Sequence, residues 1–232
     1  MVSWYYPSGI KSDQINDFVN FYKPYVYDKS LKLTFKDKTI RVFNKNSLRD
    51  DETRNRLLRC GIQNSGDLRS IIEWKTGWIF CENSNTCKTR YWDIVNYSNF
   101  FDRIMENIDE QKCMCSQSHD NARTAFLTLH DIKKRTDAKG IGSVYILTLL
   151  YFLSKGKYPI YDQFAHISCM AITNDISPTN TTNYIPLHGN PERAWEDYLA
   201  YCKLINEIFG IDSISPDEDL ALWVYGHCFN RK

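Results

Sequence analysis

Residues 139–172 read KGIGSVYILTLLYFLSKGKYPIYDQFAHISCMAI, and this stretch decides how the chain is interpreted. It opens with two glycines one residue apart, Gly140 and Gly142, between two segments with helical patterns. Because glycine adopts backbone conformations that other residues avoid, we predict a tight turn here, followed by a very apolar helix over residues 143–154. The first amides of such a helix have no partner within the helix, so they form a ready site for an anion.

Positive charges flank this predicted turn, because Lys133, Lys134, Arg135 and Lys139 fall within seven positions. A DNA phosphate is the natural anion for a turn with such flanks. An ordinary connection between two helices, with a solvated charged face, is the plainer interpretation of these residues alone. On the first interpretation, the residues predicted to contact DNA are Lys134, Arg135, Lys139, Gly140, Ile141, Gly142 and Ser143.

An aspartate follows the apolar helix after a proline, in the segment Pro159–Asp162, and Asp162 lies 20 positions beyond Gly142. Pro159 prevents the previous helix from continuing and favours an extended approach. Asp162 then stands where the next helix is expected to begin, a position where an aspartate is a good N-cap. His166, four residues later, shares its helical face, and we predict that His166 contacts a phosphate or the sugar.

Together these pieces resemble the helix-hairpin-helix (HhH-GPD) DNA glycosylase superfamily, which includes adenine, 3-methyladenine and 8-oxoguanine glycosylases. That family has a G-[VI]-G hairpin, an apolar helix, and a short extended segment with Pro and the catalytic Asp. The resemblance covers about 34 residues, and the ending DEDLALWVYGH (residues 217–227) is similar to family C-termini. It implies that Asp162 is the catalytic carboxylate of a DNA N-glycosylase. It also implies a base pocket near Asp162, for which the candidates are Tyr145, Tyr161 and Trp223.

The departures from the family pattern refine the expected activity. Members with lyase activity carry a Lys two positions beyond the second hairpin glycine, where this chain has Val144. A Schiff base needs an amine nucleophile, so we expect a monofunctional enzyme that leaves an abasic site. Several relatives hold an iron-sulfur cluster with four clustered cysteines after the Asp. Only three widely spaced cysteines follow it here, so we expect no cluster and no other cofactor, with a monovalent cation at the hairpin left open.

The expected partner is double-stranded DNA with one nucleotide flipped out of the stack. A modified or mismatched base is the predicted target, and a hypermodified phage base would make the protein an antiviral defence enzyme. The main alternative is a non-catalytic helix-hairpin-helix module that binds DNA by shape and uses Asp162 only as a cap. A third interpretation is a helical protein-interaction domain with no role on DNA.

The composition bounds these interpretations. The chain has 232 residues, 43% of them apolar and 25% charged, as in an ordinary globular protein. With a formal net charge of +1, any DNA-binding surface must come from local charge placement. Aromatic residues reach 14%, which indicates either a rich core or a surface that stacks on bases. We expect a cytoplasmic monomer, nucleoid-associated in a bacterium, because neither a secretory signal nor a membrane span is recognisable.

The eight cysteines are expected to be reduced thiols in that compartment. A zinc site from Cys81, Cys87, Cys113 and Cys115 is conceivable, but the gaps do not match common finger spacings. We therefore predict no metal site.

Periodicity predicts a mainly helical fold with a small β-hairpin in the N-terminal third. The two predicted regions are residues 1–110, with helices and the hairpin, and residues 111–232, with the helix-hairpin-helix and Asp162. In the first region we predict helices over 12–23 (capped by Ser12), 48–60 and 66–74, a hairpin over 31–43, a loop over 81–90 and a helix from about Ser98. In the second region we predict helices over 120–135 and 143–154, others from Asp162 and from Pro191, a long loop over 173–190, and a capping box at Ser215.

Overall fold

The computed structural model describes residues 2–26, 32–35, 38–41, 47–76, 79–81, 91–178, 181–182, 186–210 and 214–231. The chain divides into two compact units. The first unit comprises Met1–Leu48, Pro159–Pro186 and Asp197–Lys232, and the second comprises Arg49–Tyr158 and Leu187–Glu196.

The predicted helical character is confirmed, since α-helices dominate the described residues. In chain order the helices are α1 Ile15–Tyr22, α2 Ser47–Cys60, α3 Ser65–Thr76, α4 Ile94–Glu106, α5 Ile108–Gln117, α6 His119–Arg135, α7 Ser143–Leu153, α8 Gln163–Thr173, α9 Pro191–Phe209 and α10 Pro216–Gly226. A short 3₁₀ segment, Lys23–Val26, extends α1. The predicted boundary between residues 110 and 111 does not coincide with a boundary between the two units. It falls inside α5, within the second unit.

The strands are short and pair two by two. They are β1 Trp4–Tyr5, β2 Lys11–Ser12, β3 Lys32–Phe35, β4 Lys38–Arg41, β5 Ile79–Cys81, β6 Tyr91–Asp93, β7 Thr181–Thr182 and β8 Asn230–Arg231. The predicted hairpin is confirmed, because β3 and β4 pair antiparallel with Phe35 opposite Lys38. Sequence patterning missed the parallel pairs β5–β6 and β7–β8, since two or three residues show no alternation. Cys81 therefore ends a strand, while the rest of the predicted 81–90 loop lies outside the described residues.

Two predicted helix starts are wrong. Ser12 lies in β2, and α1 begins at Ile15 with Gln14 as its N-cap residue, whose side chain makes no capping bond. α4 begins at Ile94, four residues before Ser98, because it follows directly on β6. By contrast, Ser215 forms the predicted capping box with Glu218, and α9 begins at Pro191 as expected.

The first unit is built around a cluster of aromatic rings that contact one another edge-on or tilted. Trp4 is fully buried and contacts Phe18 and Tyr22 at centroid distances of 5.6 and 5.7 Å, and Tyr22 reaches Tyr225 at 4.9 Å. α8 and α10 pack so closely that the backbone at Gly226 lies against the backbone at Phe164. This packing fixes the beginning of α8, where the candidate aspartate lies.

The second unit is built around α6 and α7. One face of α6 is buried through Ala122, Phe126 and Leu129, and α7 is buried continuously over residues 146–153. The turn between these helices is therefore held at both ends by core packing. Within the described ranges, no helix is both long enough and apolar enough to cross a membrane.

Candidate functional site

The turn that precedes the glycines starts with a C-cap motif at the end of α6. Asp137 adopts the left-handed conformation, with φ of 51°. The Ala138 amide donates to the Lys133 carbonyl at 3.1 Å, and the Asp137 amide donates to the Lys134 carbonyl at 3.4 Å. This is the Schellman pattern, here with an aspartate where glycine is usual.

The two glycines have different backbone conformations. Gly140 has a φ of 88°, which glycine adopts without steric cost. Gly142 is extended, with φ of −96° and ψ of −179°, and serves as the N-cap residue of α7. Of the two glycines, therefore, only Gly140 adopts a backbone conformation that other residues avoid. A Cβ added at Gly142 would meet no atom within 4 Å, so Gly142 leaves open space in front of the helix.

Side chains from the core hold this turn. Ala138 and Ile141 are buried, with at most 1% of their surface exposed. The Tyr97 hydroxyl, from α4, donates to the Lys139 carbonyl. Because the side chain of Ile141 faces the core, its predicted DNA contact is limited to the backbone.

The N-terminus of α7 points its first amides away from the helix. The first bonds of the helix run from the amides of Tyr145 and Ile146 to the Gly142 carbonyl, at 3.0 and 3.3 Å. The amides of Ser143 and Val144 therefore have no acceptor within the helix. Since Gly142 in front of them is exposed, this end of α7 has the geometry of an anion site.

His130 of α6 braces the same end of α7. Its Nε2 lies 3.2 Å from the Ser143 hydroxyl. Burial, reinforced by the nearby Lys133 charge, lowers the pKa of His130 to about 4. The imidazole is therefore neutral at physiological pH, so it contributes a hydrogen bond to the turn and no positive charge.

The basic run beside the turn is partly neutralised within the chain. Arg135 pairs with Asp131 at 2.5 Å, and Lys139 pairs with Asp137 at 3.3 Å. Both cationic side chains stay largely exposed, at 77% and 85%, so their pairs are weak. Residues 131–139 carry a local excess of two positive charges, which makes the surface mildly basic.

Asp162 caps α8, as its position after Pro159 predicts. It has extended backbone angles, and its side chain accepts a hydrogen bond from the Phe164 amide at 2.9 Å. The side chain is half-buried. Two buried tyrosines of α9 fix the segment before it: the Tyr198 hydroxyl donates to the Pro159 carbonyl at 2.8 Å, and the Tyr201 hydroxyl donates to the Ile160 carbonyl at 3.2 Å.

Tyr161 and His166 lie on either side of Asp162 in sequence and contact each other. The Tyr161 hydroxyl lies 2.9 Å from Nδ1 of His166. Tyr161 is fully buried, so its ring has no open face for the base that the resemblance assigns to it. Burial lowers the pKa of His166, partly opposed by the charge of Asp197. A neutral His166 cannot attract a phosphate as a cation, and its predicted contact is reduced to a hydrogen bond.

Trp223 is half-buried in an aromatic group beside the start of α8. His227 packs against Trp223 with a centroid distance of 4.1 Å, and it stacks on Phe164 at 3.3 Å. Since Phe164 provides the amide that Asp162 caps, this group lies next to the carboxylate. Sequence reasoning missed Phe164 and His227, although Trp223 and His227 are four residues apart on one helix and Phe164 is two residues from Asp162. Tyr145 is half-buried in the second unit, and its predicted base contact stays a prediction.

The four cysteines considered for a zinc site fall into two groups. Cys87 and the side chain of Cys81 lie outside the described residues. Cys113 is exposed, and Cys115 is buried, which raises the pKa of its thiol to about 12. Among the described residues, no group of histidine, cysteine or acidic side chains is placed to hold a metal ion.

Comparisons with models of protein families, with curated proteins and with solved structures found no match to this chain. The turn and the Asp162 segment are therefore the features of this chain that bear on its function.

Proposed function

We propose that this protein is a monofunctional DNA N-glycosylase that removes a modified or mismatched base from a flipped nucleotide. The observation that carries the proposal is the succession of an exposed Gly140–Gly142 turn, an apolar helix, and an aspartate at the start of the next helix after Pro159. The turn supplies an anion site, and Asp162 supplies a carboxylate.

The turn is the proposed phosphate contact. The amides of Ser143 and Val144, together with the helix dipole, attract an anion at the N-terminus of α7. The flexible, exposed side chains of Lys134 and Lys139 add charge on the same connection. With a local excess of only two charges, binding should weaken with salt less steeply than for a strongly basic protein.

Asp162 is the proposed catalytic residue. Breaking the bond between base and sugar builds positive charge on the sugar, as in glycoside hydrolysis. A carboxylate about 4 Å from that charge contributes about 4 kcal/mol at an effective dielectric constant near 20. The same carboxylate can orient or deprotonate the attacking water. The N-terminus of α8 favours the negative charge that this role requires.

The aromatic group of Phe164, Trp223 and His227 is the proposed surface for the flipped base. Stacking on such rings contributes about 1–3 kcal/mol per base and tolerates different bases. This contribution offsets the few kcal/mol needed to unstack the target nucleotide.

The proposal is tested with duplexes that carry uracil, hypoxanthine, N-methylated purines, 8-oxoguanine or 5-hydroxymethylcytosine, followed by alkali and a gel. We expect strand breaks only after alkali, because Val144 has no amine and the product is an intact abasic site. Borohydride during turnover should trap no protein–DNA adduct. An adduct formed at the turnover rate would show that a lysine elsewhere in the chain acts as nucleophile.

A second candidate function is a non-catalytic module that binds DNA by shape, and a specific bond favours it. The Asp162 side chain already caps α8 through the Phe164 amide, which accounts for an aspartate at this position without any chemistry. Salt-dependent binding of duplex DNA with no base released from any duplex in the panel would select this function.

Substitution of Gly142 by valine tests the proposed phosphate contact. We expect the Gly142→Val variant to fold normally, because the extended backbone suits valine and the added Cβ meets no atom within 4 Å. Its branched side chain would stand in front of the α7 amides, and we expect DNA affinity to fall about tenfold, the equivalent of one charge-assisted hydrogen bond. Affinity is measured by fluorescence anisotropy with a duplex containing a tetrahydrofuran abasic-site analogue.

Gly189→Val is the matched control, since a Cβ there also meets no atom within 4 Å. Unchanged affinity of the well-folded Gly142→Val variant would remove the α7 N-terminus from the interface.

A further inference from the structure

We infer that Tyr198 and Tyr201 are positioning residues that set the geometry of the Asp162 carboxylate through the two carbonyls of the preceding segment. The inference rests on the proposed function, because it assigns these tyrosines to the same reaction. Neither tyrosine belongs to the stretch that resembles known glycosylases.

The two tyrosines act as a pair. They lie three residues apart on α9 and therefore on one face of the helix, and both are fully buried. Their hydroxyls donate to consecutive carbonyls, those of Pro159 and Ile160. Two bonds to consecutive peptide groups fix both the position and the rotation of the chain just before Asp162.

The two bonds matter because this segment is buried. Pro159 has no amide hydrogen, and both Pro159 and Ile160 are buried. A buried carbonyl without a donor is costly, so the two hydroxyls stabilise the extended segment where it runs through the interior. Burial raises the pKa of Tyr201 far above its usual value, which keeps its hydroxyl a donor at any pH used with DNA.

Tyr201 also braces the residues on either side of Asp162. Its ring packs edge-on against Tyr161 at 5.2 Å and against His166 at 5.5 Å. A phenylalanine at position 201 would keep these ring contacts and remove only the hydroxyl. The Tyr→Phe change therefore isolates the hydrogen bond from the packing.

The effect on chemistry follows from the sensitivity of catalysis to placement. A shift of about 1 Å in a reacting group can cost about a hundredfold in rate. We expect the double variant Tyr198→Phe/Tyr201→Phe to release base about tenfold more slowly in single turnover. Binding of the tetrahydrofuran duplex should stay within about twofold, because neither hydroxyl belongs to the proposed phosphate contact.

The matched control is Tyr22→Phe. Tyr22 is also fully buried in the first unit, and its hydroxyl also donates to a backbone carbonyl, that of Tyr5. The Tyr22→Phe substitution removes the same hydroxyl oxygen, but the carbonyl that loses its donor is that of Tyr5, outside the Asp162 segment. We expect Tyr22→Phe to lower stability with no change in the rate of base release.

A second readout does not depend on activity. The Phe164 amide is the group that Asp162 caps, so its hydrogen exchange, measured by NMR, reports how well the carboxylate is held. We expect exchange at Phe164 to accelerate about fivefold or more in the double variant, the equivalent of one lost hydrogen bond, and to stay unchanged in Tyr22→Phe.

The two readouts separate the possible failures. Unchanged exchange at Phe164 in the folded double variant overturns the inference whatever the activity is. An unchanged rate of base release, from the duplex that the wild type processes fastest, also overturns it. If the wild type releases no base from any duplex, the proposed function fails, and exchange at Phe164 alone then decides whether the tyrosines hold the cap.

Discussion

The Asp162→Asn variant is expected to lose base release by a factor of about 10²–10³, the usual cost of removing an aimed electrostatic group. Asparagine keeps the side-chain oxygen that accepts the Phe164 amide, and it is an equally good N-cap. The substitution therefore removes the charge while it preserves the start of α8. Single-turnover kinetics on the fastest duplex of the panel measure the rate, and anisotropy with the tetrahydrofuran duplex measures binding, which should be nearly unchanged.

The matched control for this variant is Asp175→Asn, at the other end of α8. Asp175 has a left-handed backbone with φ of 54°, a conformation that asparagine tolerates well. Its carboxylate accepts hydrogen bonds from Ser3, Tyr5 and Lys11, far along the helix from Asp162. Loss of activity in Asp175→Asn would point to a general effect of charge. Retention of more than about a third of the wild-type rate in Asp162→Asn would show that the catalytic assignment is wrong.

The elements of the fold that could be predicted from the sequence have local signals. The buried face of α6 repeats at helical spacing, and Ser215 and Pro191 mark helix starts with side chains that act within a few residues. The β3–β4 hairpin alternates over enough residues to be recognised. In each case the information lies within the element, so no knowledge of tertiary contacts was needed.

The ends of α6 and α7 agree to within one residue with the predicted ends at residues 135 and 154, but the C-cap motifs beyond them could not be predicted, because the usual glycine is missing. α6, α7 and α8 each end with a residue in the left-handed conformation that is not glycine, and these residues are Asp137, Lys155 and Asp175. The bonds of the C-cap motif are nevertheless present, for example from the Gly156 amide to the Tyr151 carbonyl at 2.8 Å. Since glycine is the usual residue at this position of the motif, the sequence alone gives no sign of these left-handed residues.

Part of the high aromatic content serves hydrogen bonds between segments that are distant in the sequence. Buried tyrosines repeatedly donate to backbone carbonyls of loops, as in Tyr97 to Lys139, Tyr158 to Ser118 and Tyr198 to Pro159. These bonds join residues about 40 positions apart, so no local pattern predicts them. Of the two interpretations of the aromatic excess, a rich core accounts for these residues, while a stacking surface remains a proposal for Trp223 and its neighbours.

The turn and the helix cap of the candidate site could be predicted from the sequence, but the contacts around their side chains could not. The Gly140 turn and the Asp162 cap follow from glycine and proline chemistry in one short stretch. The pairing of Arg135 and Lys139 with aspartates, the burial of Tyr161 and the neutral state of His166 depend on packing. These contacts reduce the charge or the exposed surface that each side chain could offer in the proposed DNA contact.

The Gly226→Ala variant is expected to be severely destabilised, by about 3 kcal/mol. A Cβ at Gly226 would lie 2.0 Å from the carbonyl oxygen of Phe164 and 2.5 Å from its carbonyl carbon. Both are backbone atoms of α8, so no side chain can turn aside, and α8 and α10 would have to separate. Urea unfolding followed by circular dichroism measures the effect as a lower midpoint. Gly142→Ala, where the added Cβ meets no atom within 4 Å, is the control and should unfold at nearly the wild-type midpoint.

Since the displaced residue is the one whose amide Asp162 caps, the folded fraction of Gly226→Ala should also release base more slowly. A midpoint equal to that of the control would mean that the two helices do not meet through their backbones at Gly226, and that the Asp162 cap is held by other contacts.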